Sequence, residues 1–326
     1  MATEALDAAM VEKLISAAVA APSIHNTQPW RFRLDPGTAT IEVHAAGDRA
    51  LPYTDPVGQG LHLSAGAAVF NLRVAVAHFG WEPVVRLLPR PADPGLLAAV
   101  RLAGPRPDGA RCDGAELYDA VWRRHSSRFP FEGLPVPEDV RAEIVEAVTC
   151  EGAILAFPGP SEAARILRLT AEAERLAAVD RGRGAESRAW VREDADDGIP
   201  SVALGPRDAT GHLPVRDFTT GRSTHFQEPA PFEAAPALAV LGTLRNRPAD
   251  WLRAGQGLER ALLVATGHGL RASLFSQAVE WQEAQWLLRD PRDGTAHVQM
   301  LIRFGYGPEG PATPRRPARE VIDADR

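Results

Sequence analysis

Three short stretches carry residue types in an arrangement that could do chemistry. "APSIHNTQPW" (residues 21–30) places a proline, a hydroxyl, an imidazole, two amides and an indole directly after an alanine-rich apolar run. Ser23, Asn26 and Gln28 bring three hydrogen-bonding side chains within six residues, and such a set either caps a turn or holds something flat and polar. "RHSSR" (124–128) closes a short helical stretch with two arginines, a histidine and two hydroxyls. "ATPRRP" (312–317) adds paired arginines after the last strand-like run. Planar guanidinium groups grip dianions in bidentate fashion, so the second and third stretches suit an anion. Lysine occurs once, at Lys13, against 35 arginines, so a single arginine carries little weight by itself.

The elements that must position these stretches are legible from periodicity. Leu6, Met10, Leu14, Ala17 and Ala18 recur at helical spacing, and the helix is expected to stop before Pro22. "TATIEVHA" (38–45) alternates as a strand. Residues 61–80 read as a long apolar helix ending at Gly80. "VVRLLP" and "LLAAVRLA" suit strands, the second equally a helical turn, and 104–114 is a loop-rich joint. Helices are then expected at 117–124, 136–148, 161–179 and 250–269, and strands at 153–157, 236–243 and 297–306. Residues 181–230 are rich in Gly, Pro, Asp and Arg and lack sustained periodicity.

Two alignments suggest internal repetition. Residues 11–21 match 141–151 in apolar pattern, and the helix holding Gly66 and Gly80 matches the one holding Gly255 and Gly269. The economical reading is two copies of one α+β unit, the second carrying an inserted excursion at 181–230.

The totals exclude several classes. With 326 residues, 45 % hydrophobic and 24 % charged, the chain is an ordinary globular one, long enough for one large core or two smaller ones. A net charge of -6 argues against nucleic acid as a partner. No uncharged apolar run approaches 18 residues, so no membrane span is expected, and the acidic N-terminus does not resemble a secretory signal. Cys112 and Cys150 are too few for a disulfide framework and read as incidental thiols of a cytoplasmic protein. The nine histidines lack zinc spacing, and no GxGxxG follows a strand, so neither a metal nor a Rossmann domain is expected.

Taken together, helix–"APSxxNxQPW"–strand, "RHSSR" and "PRRP" resemble the nitroreductase family of FMN proteins. Their order here, with "IHNTQPW" first, "RHSSR" a hundred residues later and the basic tail last, resembles its Acg-like branch, a fused and degenerate dimer in one chain. The resemblance implies an α+β nitroreductase fold, internally duplicated. The first half is 1–110 and the second 111–326, with a lid inserted at about 181–230. Each half lacks what the other keeps, which implies one FMN site built from both.

The resemblance also implies roles. Arg124, Arg315 and Arg316 would grip the FMN phosphate, with His125 and Ser126 beside it, and Arg128 would face the flavin N1/O2 edge. Pro22, Ser23 and Asn26 would lie along the ring, with Asn26 addressing the pyrimidine oxygens. His25 is a substrate-side candidate. Gln28 is expected to tie down its own loop, and Trp30 to be core. Ser273, Leu274 and Phe275 would approach flavin N5, and Gln227 the ribityl chain. The implied activity is hydride transfer from NAD(P)H through FMN to a small electron-poor acceptor such as a nitro compound or quinone. The alternative is a closed protein that stores FMN. A monomer is expected, because the ancestral dimer interface would already be internal.

Overall fold

In the computed structural model, residues 6–104, 114–219, 228–288 and 296–323 are described. Asp7 caps helix α1 (Ala8–Val19) by accepting the Met10 N–H at 2.8 Å. Strands β1 (Trp30–Asp35) and β2 (Thr40–Ala45) follow as a hairpin, then α2 (Gln59–His78), β3 (Glu82–Leu87) and β4 (Leu96–Ala103). The strand reading of "LLAAVRLA" therefore holds, and Gly80 does take a positive φ, 93°, after α2. The four strands form one antiparallel sheet in the order β1-β2-β4-β3.

The second set begins with α3 (Tyr118–Arg123) and α4 (Glu138–Cys150). It continues through β5 (Ile154–Ala156), α5 (Pro160–Val179), α6 (Arg181–Ala189), β6 (Ala237–Thr243), α7 (Pro248–Gly267), β7 (Arg271–Phe275), α8 (Gln282–Leu287), β8 (His297–Gly305) and α9 (Ala318–Val321). Its sheet is ordered β5-β6-β8-β7, position for position the order of the first. Helix α6 and a 3-10 turn at Ser201–Ala203 lie where no periodicity was visible. Helix α6 has a mean composition too polar to betray itself, and its Asp180 cap, accepting the Arg183 N–H at 3.1 Å, sets its start.

The two sets meet along α2 and α7, and the contact is reciprocal. A Cβ on Gly66 would fall 2.3 Å from the Leu252 carbonyl oxygen, and one on Gly255 would fall 2.1 Å from that of Leu63. Residues 63 and 252, like 66 and 255, stand 189 apart, so each helix makes the same contact the other makes. Only glycine lets the two backbones approach this closely. The His62 and Trp251 rings, again 189 apart, meet edge to face at 5.4 Å. Such self-complementary contact is what a two-fold axis imposes on a dimer; here it lies within one chain.

Helix α2 is long and apolar enough to cross a membrane by length and composition, but here it is the core helix of the first set. Around it Leu14, Ile15, Phe32 and Ile41 are fully buried, as is its own Phe70, each contributing about 1.5–3 kcal/mol. The same core takes Ala120 and Val121 of α3 and Ala318 and Val321 of α9. Segments from both ends of the second set thus pack on the first. "RHSSR" directly follows α3 and "ATPRRP" directly precedes α9, so these arms carry both basic stretches to "APSIHNTQPW".

Candidate functional site

The opening stretch is a tightly wound connection. The Ser23 hydroxyl accepts the Gln28 N–H at 2.9 Å, and Ser64 of α2 accepts the Ile24 N–H at 3.1 Å. Three residues other than glycine hold positive φ: His25 at 49°, Asn26 at 54° and Gln28 at 51°. Asparagine tolerates this region, but histidine and glutamine are strained there by about 1 kcal/mol or more each. Surrounding contacts must enforce that conformation.

Those contacts are made by the two amides. Asn26 donates to the carbonyls of Gly198 at 2.7 Å and Pro314 at 3.0 Å, and its Oδ1 accepts from Arg315 at 2.9 Å. Gln28 donates to the Asp196 carbonyl at 2.9 Å and accepts the Arg316 N–H at 2.9 Å. Gly198 returns its N–H to the Asn26 carbonyl at 3.1 Å, and Asp197 bridges Arg49 at 2.8 Å and Arg192 at 2.6 Å. The amides therefore clasp the excursion and the tail against the first half. Both Asn26 donor hydrogens are spent in this way, which leaves none for a ligand's pyrimidine oxygens. Gln28 ties down two distant segments rather than only its own loop.

Behind the segment lies a basic cluster, with Arg124 buried and Arg315 half-buried. Arg124 and Arg315 both donate to the Ala20 carbonyl, at 2.9 and 3.3 Å. Arg124 also stands 3.3 Å from the carboxylate of fully buried Glu259 on α7. Burial pushes Glu259 up to about 7 against the pull of Arg124. Burial, then the charge of Arg124, lowers Arg315 to about 9. His125 is lowered by burial and by Arg124 and Arg315, so it too belongs to this positive end.

A cavity of about 610 Å³ opens from here between the two halves, within the range of small-molecule and cofactor sites. Of the residues singled out in the sequence, Pro22, Ser23, His25, Asn26, Ser126, Arg128, Ser273, Leu274, Phe275 and Arg315 line it. Arg124, His125 and Arg316 do not. Arg124 is drawn behind the wall by Glu259, while Arg316 turns away to donate to the Glu320 carbonyl at 2.8 Å. Gln227 lies outside the described residues.

The excursion supplies one wall. Arg128 donates to the Ala203 carbonyl at 3.1 Å and lies 5.5 Å from the Phe218 ring centroid. Among the described residues no carboxylate lies within ion-pair distance of it. Burial and then Arg216 lower its pKa to about 10. His25, 6 % exposed, meets Phe218 edge to face at 5.1 Å. Burial first, then Arg216 and Arg128, hold it well below the ordinary histidine range, so it is neutral at pH 7.

Beyond Phe275 the cavity reaches Asp55, Arg183, Arg216, Glu280 and Trp281, none of which sequence reasoning found. Burial tends to lower Arg216, but Glu280 and Glu174 more than offset it. Burial and the neighbouring Glu280 raise Asp55 to about 6. No spacing marks these residues, and the two arginines lie in the polar, aperiodic 181–230 stretch. Among the described residues no cluster of potential metal ligands occurs.

No family model matches the chain. A Mycobacterium tuberculosis H37Rv protein provisionally named an NAD(P)H nitroreductase, Rv3131, is 31 % identical over 329 residues, covering 99 % of this chain and 94 % of its own. A second from the same organism, provisionally named the NAD(P)H nitroreductase Acg, is 30 % identical over 323 residues, covering 96 % and 95 %. A solved structure from Anabaena variabilis ATCC 29413, provisionally named a nitroreductase, aligns over 94 % of this chain and 90 % of its own, with a TM-score of 0.49 and 11 % identity. With full-length relatives at this identity, two like sheets in one chain and the halves meeting at a reciprocal helix contact, the chain belongs to the nitroreductase family, in its Acg-like branch.

Proposed function

We propose that the protein binds one FMN in the cavity between its halves, 1–110 and 111–326, and serves as an NAD(P)H-dependent oxidoreductase for a small electron-poor acceptor. The observation that carries this reading is the charge of the cavity wall. Arg128 and Arg315 are both half-buried on it, Arg128 without a carboxylate partner among the described residues and Arg315 sharing one carboxylate, Glu259, with Arg124. Guanidinium groups drawn partly out of water on a cavity wall call for anions. A phosphate suits the Arg315 end, where Arg315 Nε is buried and unpaired and Ser126 adds a hydroxyl. A polar ring edge suits Arg128, and the backbone of Ser273–Phe275 forms the wall between. The residues present therefore fit the group.

When bound, FMN supplies hydride-transfer chemistry. The chain grips the phosphate end through Arg315 and Ser126, places positive charge at the ring edge through Arg128, and excludes water with Phe218, Leu274 and Phe275. Neutral His25 presents an imidazole to the acceptor side of the cavity.

A second reading, FMN storage without turnover, is favoured by the packing of the excursion. Ile199 and Leu204 are fully buried and Trp190 is 8 % exposed, and the segment rests on Arg128 and the Asn26 and Gln28 amides. Gly205, at a φ of 72°, lies so close that a Cβ would meet the Arg128 carbonyl oxygen at 2.4 Å. An absorbance spectrum followed by anaerobic titration with NADH and NADPH separates the readings. Bound flavin that bleaches within seconds establishes the oxidoreductase. Bound flavin reduced by dithionite but by neither nicotinamide establishes storage, and no flavin after soaking with FMN overturns both.

A further inference from the structure

The far end of the cavity carries three buried polar atoms that make no hydrogen bond within the protein. Arg183 of α6 lies over the Trp281 ring, 4.2 Å from its centroid. Its Nη1 stands 3.5 Å from Glu280 Oε2, and its Nη2 donates to the Glu280 carbonyl at 3.3 Å. The other carboxylate oxygen of Glu280 is occupied, accepting from Arg216 and, at 2.7 Å, from the Ser276 hydroxyl. Left over, buried and without a hydrogen-bond partner are Glu280 Oε2, Arg183 Nη1 and Trp281 Nε1. All three residues line the cavity. Arg183 Nη1 and Glu280 Oε2 stand at ion-pair distance without a hydrogen bond; buried polar groups normally make hydrogen bonds, so this set on a cavity wall marks those a ligand can bring.

The set comprises one acceptor and two donors. The acceptor is anionic, and both donors sit on one stacked pair. A primary carboxamide matches it: the NH2 donates to Glu280 Oε2 and the carbonyl oxygen accepts from Trp281 Nε1 or Arg183 Nη1. A carboxylate offers no donor and would face the Glu280 oxygen as a like charge; an ester offers no donor either. A site built to hydrogen-bond a ligand group rejects the analogue lacking it far more strongly than a hydrophobic pocket rejects a missing methylene. We propose that Glu280, Arg183 and Trp281 form a subsite for a planar ring bearing a primary carboxamide. As to the source of that ring, the inference rests on the oxidoreductase reading: the amide belongs either to the nicotinamide of the hydride donor or to an amide-bearing aromatic acceptor.

The test is calorimetric titration of the FMN-loaded protein with benzamide, nicotinamide, benzoate and nicotinate, a readout that needs no turnover. The amides are expected to bind at least about tenfold more tightly than the acids. Trp281→Phe keeps the ring that Arg183 stacks on and removes only the N–H, so it should weaken amide binding about five- to tenfold and leave acid binding unchanged. Equal affinity for amides and acids, or a Trp281→Phe loss shared by both, overturns the subsite. In steady state, Trp281→Phe should raise KM several-fold for whichever reactant carries the amide. A rise for NAD(P)H assigns it to the hydride donor, a rise for a nitrobenzamide but not for nitrobenzene assigns it to the acceptor, and no rise for either overturns the proposal. The two readings fail separately. A protein without flavin that still prefers amides keeps the subsite and loses the oxidoreductase, and a reducible flavoprotein with no amide preference does the reverse.

Discussion

Two buried arginine–carboxylate clusters flank the α2–α7 contact, and they differ in what they leave unsatisfied. In one, Glu151 accepts from Arg73 at 2.5 Å and from Arg260 at 2.8 Å, and Arg73 also reaches Gln256 at 2.9 Å. Both carboxylate oxygens are used. In the other, Glu259 stands by Arg124 at 3.3 Å, and the Asn71 side chain beside it adds to that pull, without good hydrogen-bond geometry from either, while Arg315 Nε is unpaired as well. Glu151 follows α4 where Ala21 follows α1, at the offset of 130 that relates the two helices. The first cluster is closed on itself, with its carboxylate at the position corresponding to the start of "APSIHNTQPW". The second has an excess of positive charge and opens on the cavity. Duplication supplied two such places, and substitution has closed one.

The largest effect expected from this contrast is Glu151→Ala. Removing the shared carboxylate strands two half-buried guanidinium groups, so unfolding stability should fall by about 3 kcal/mol in chemical denaturation. Replacing all three members by apolar residues should restore most of it. Next, Arg315→Met should weaken FMN binding about ten- to hundredfold by fluorescence titration, since it removes a charged hydrogen-bond donor from the open cluster. The corresponding Arg73→Met should leave FMN affinity untouched.

A smaller effect concerns pH. The folded pKa of Glu259, about 7, is raised above that of an unfolded glutamate, near about 4.3. The folded state thus holds this proton more tightly, and its contribution to stability is whole below about pH 4 and lost as pH rises to about 7. Glu259→Gln cannot ionise, so the Tm of the natural protein should fall relative to that variant between these limits in phosphate-free buffer. Smallest is Asn26→Ala, which opens the clasp on Gly198 and Pro314 and should speed tryptic cleavage at Arg192 several-fold with little change in Tm.

What the sequence revealed and what it hid have separate physical causes. Helices α1, α2, α4, α5 and α7 and most strands were legible because an apolar stripe must repeat with the period of its element. The duplication was legible because Gly66 and Gly255 are irreplaceable where backbones touch. The clasp was not, because Asn26 and Gln28 bind backbone carbonyls of residues 196, 198 and 314, and a carbonyl leaves no mark on residue identity. Glu259 was hidden differently: within "GLERALL" a glutamate reads as part of a solvated face, and only the fold shows it fully buried. Arg124 matched its motif yet lies behind the cavity wall, since spacing places a residue on an element without saying which neighbour will hold its side chain. Arg183, Glu280 and Trp281 converge from segments about a hundred residues apart, and no local pattern joins them.

The open cluster is proposed as an anion site, and the closed one is not. The most direct measurement is a calorimetric titration with FMN and, separately, with riboflavin, which differ only in the phosphate. One FMN per chain, bound at least about a hundredfold more tightly than riboflavin, with the difference erased in Arg315→Met, is the result expected. Equal affinity for the two flavins, or two FMN per chain, would contradict it.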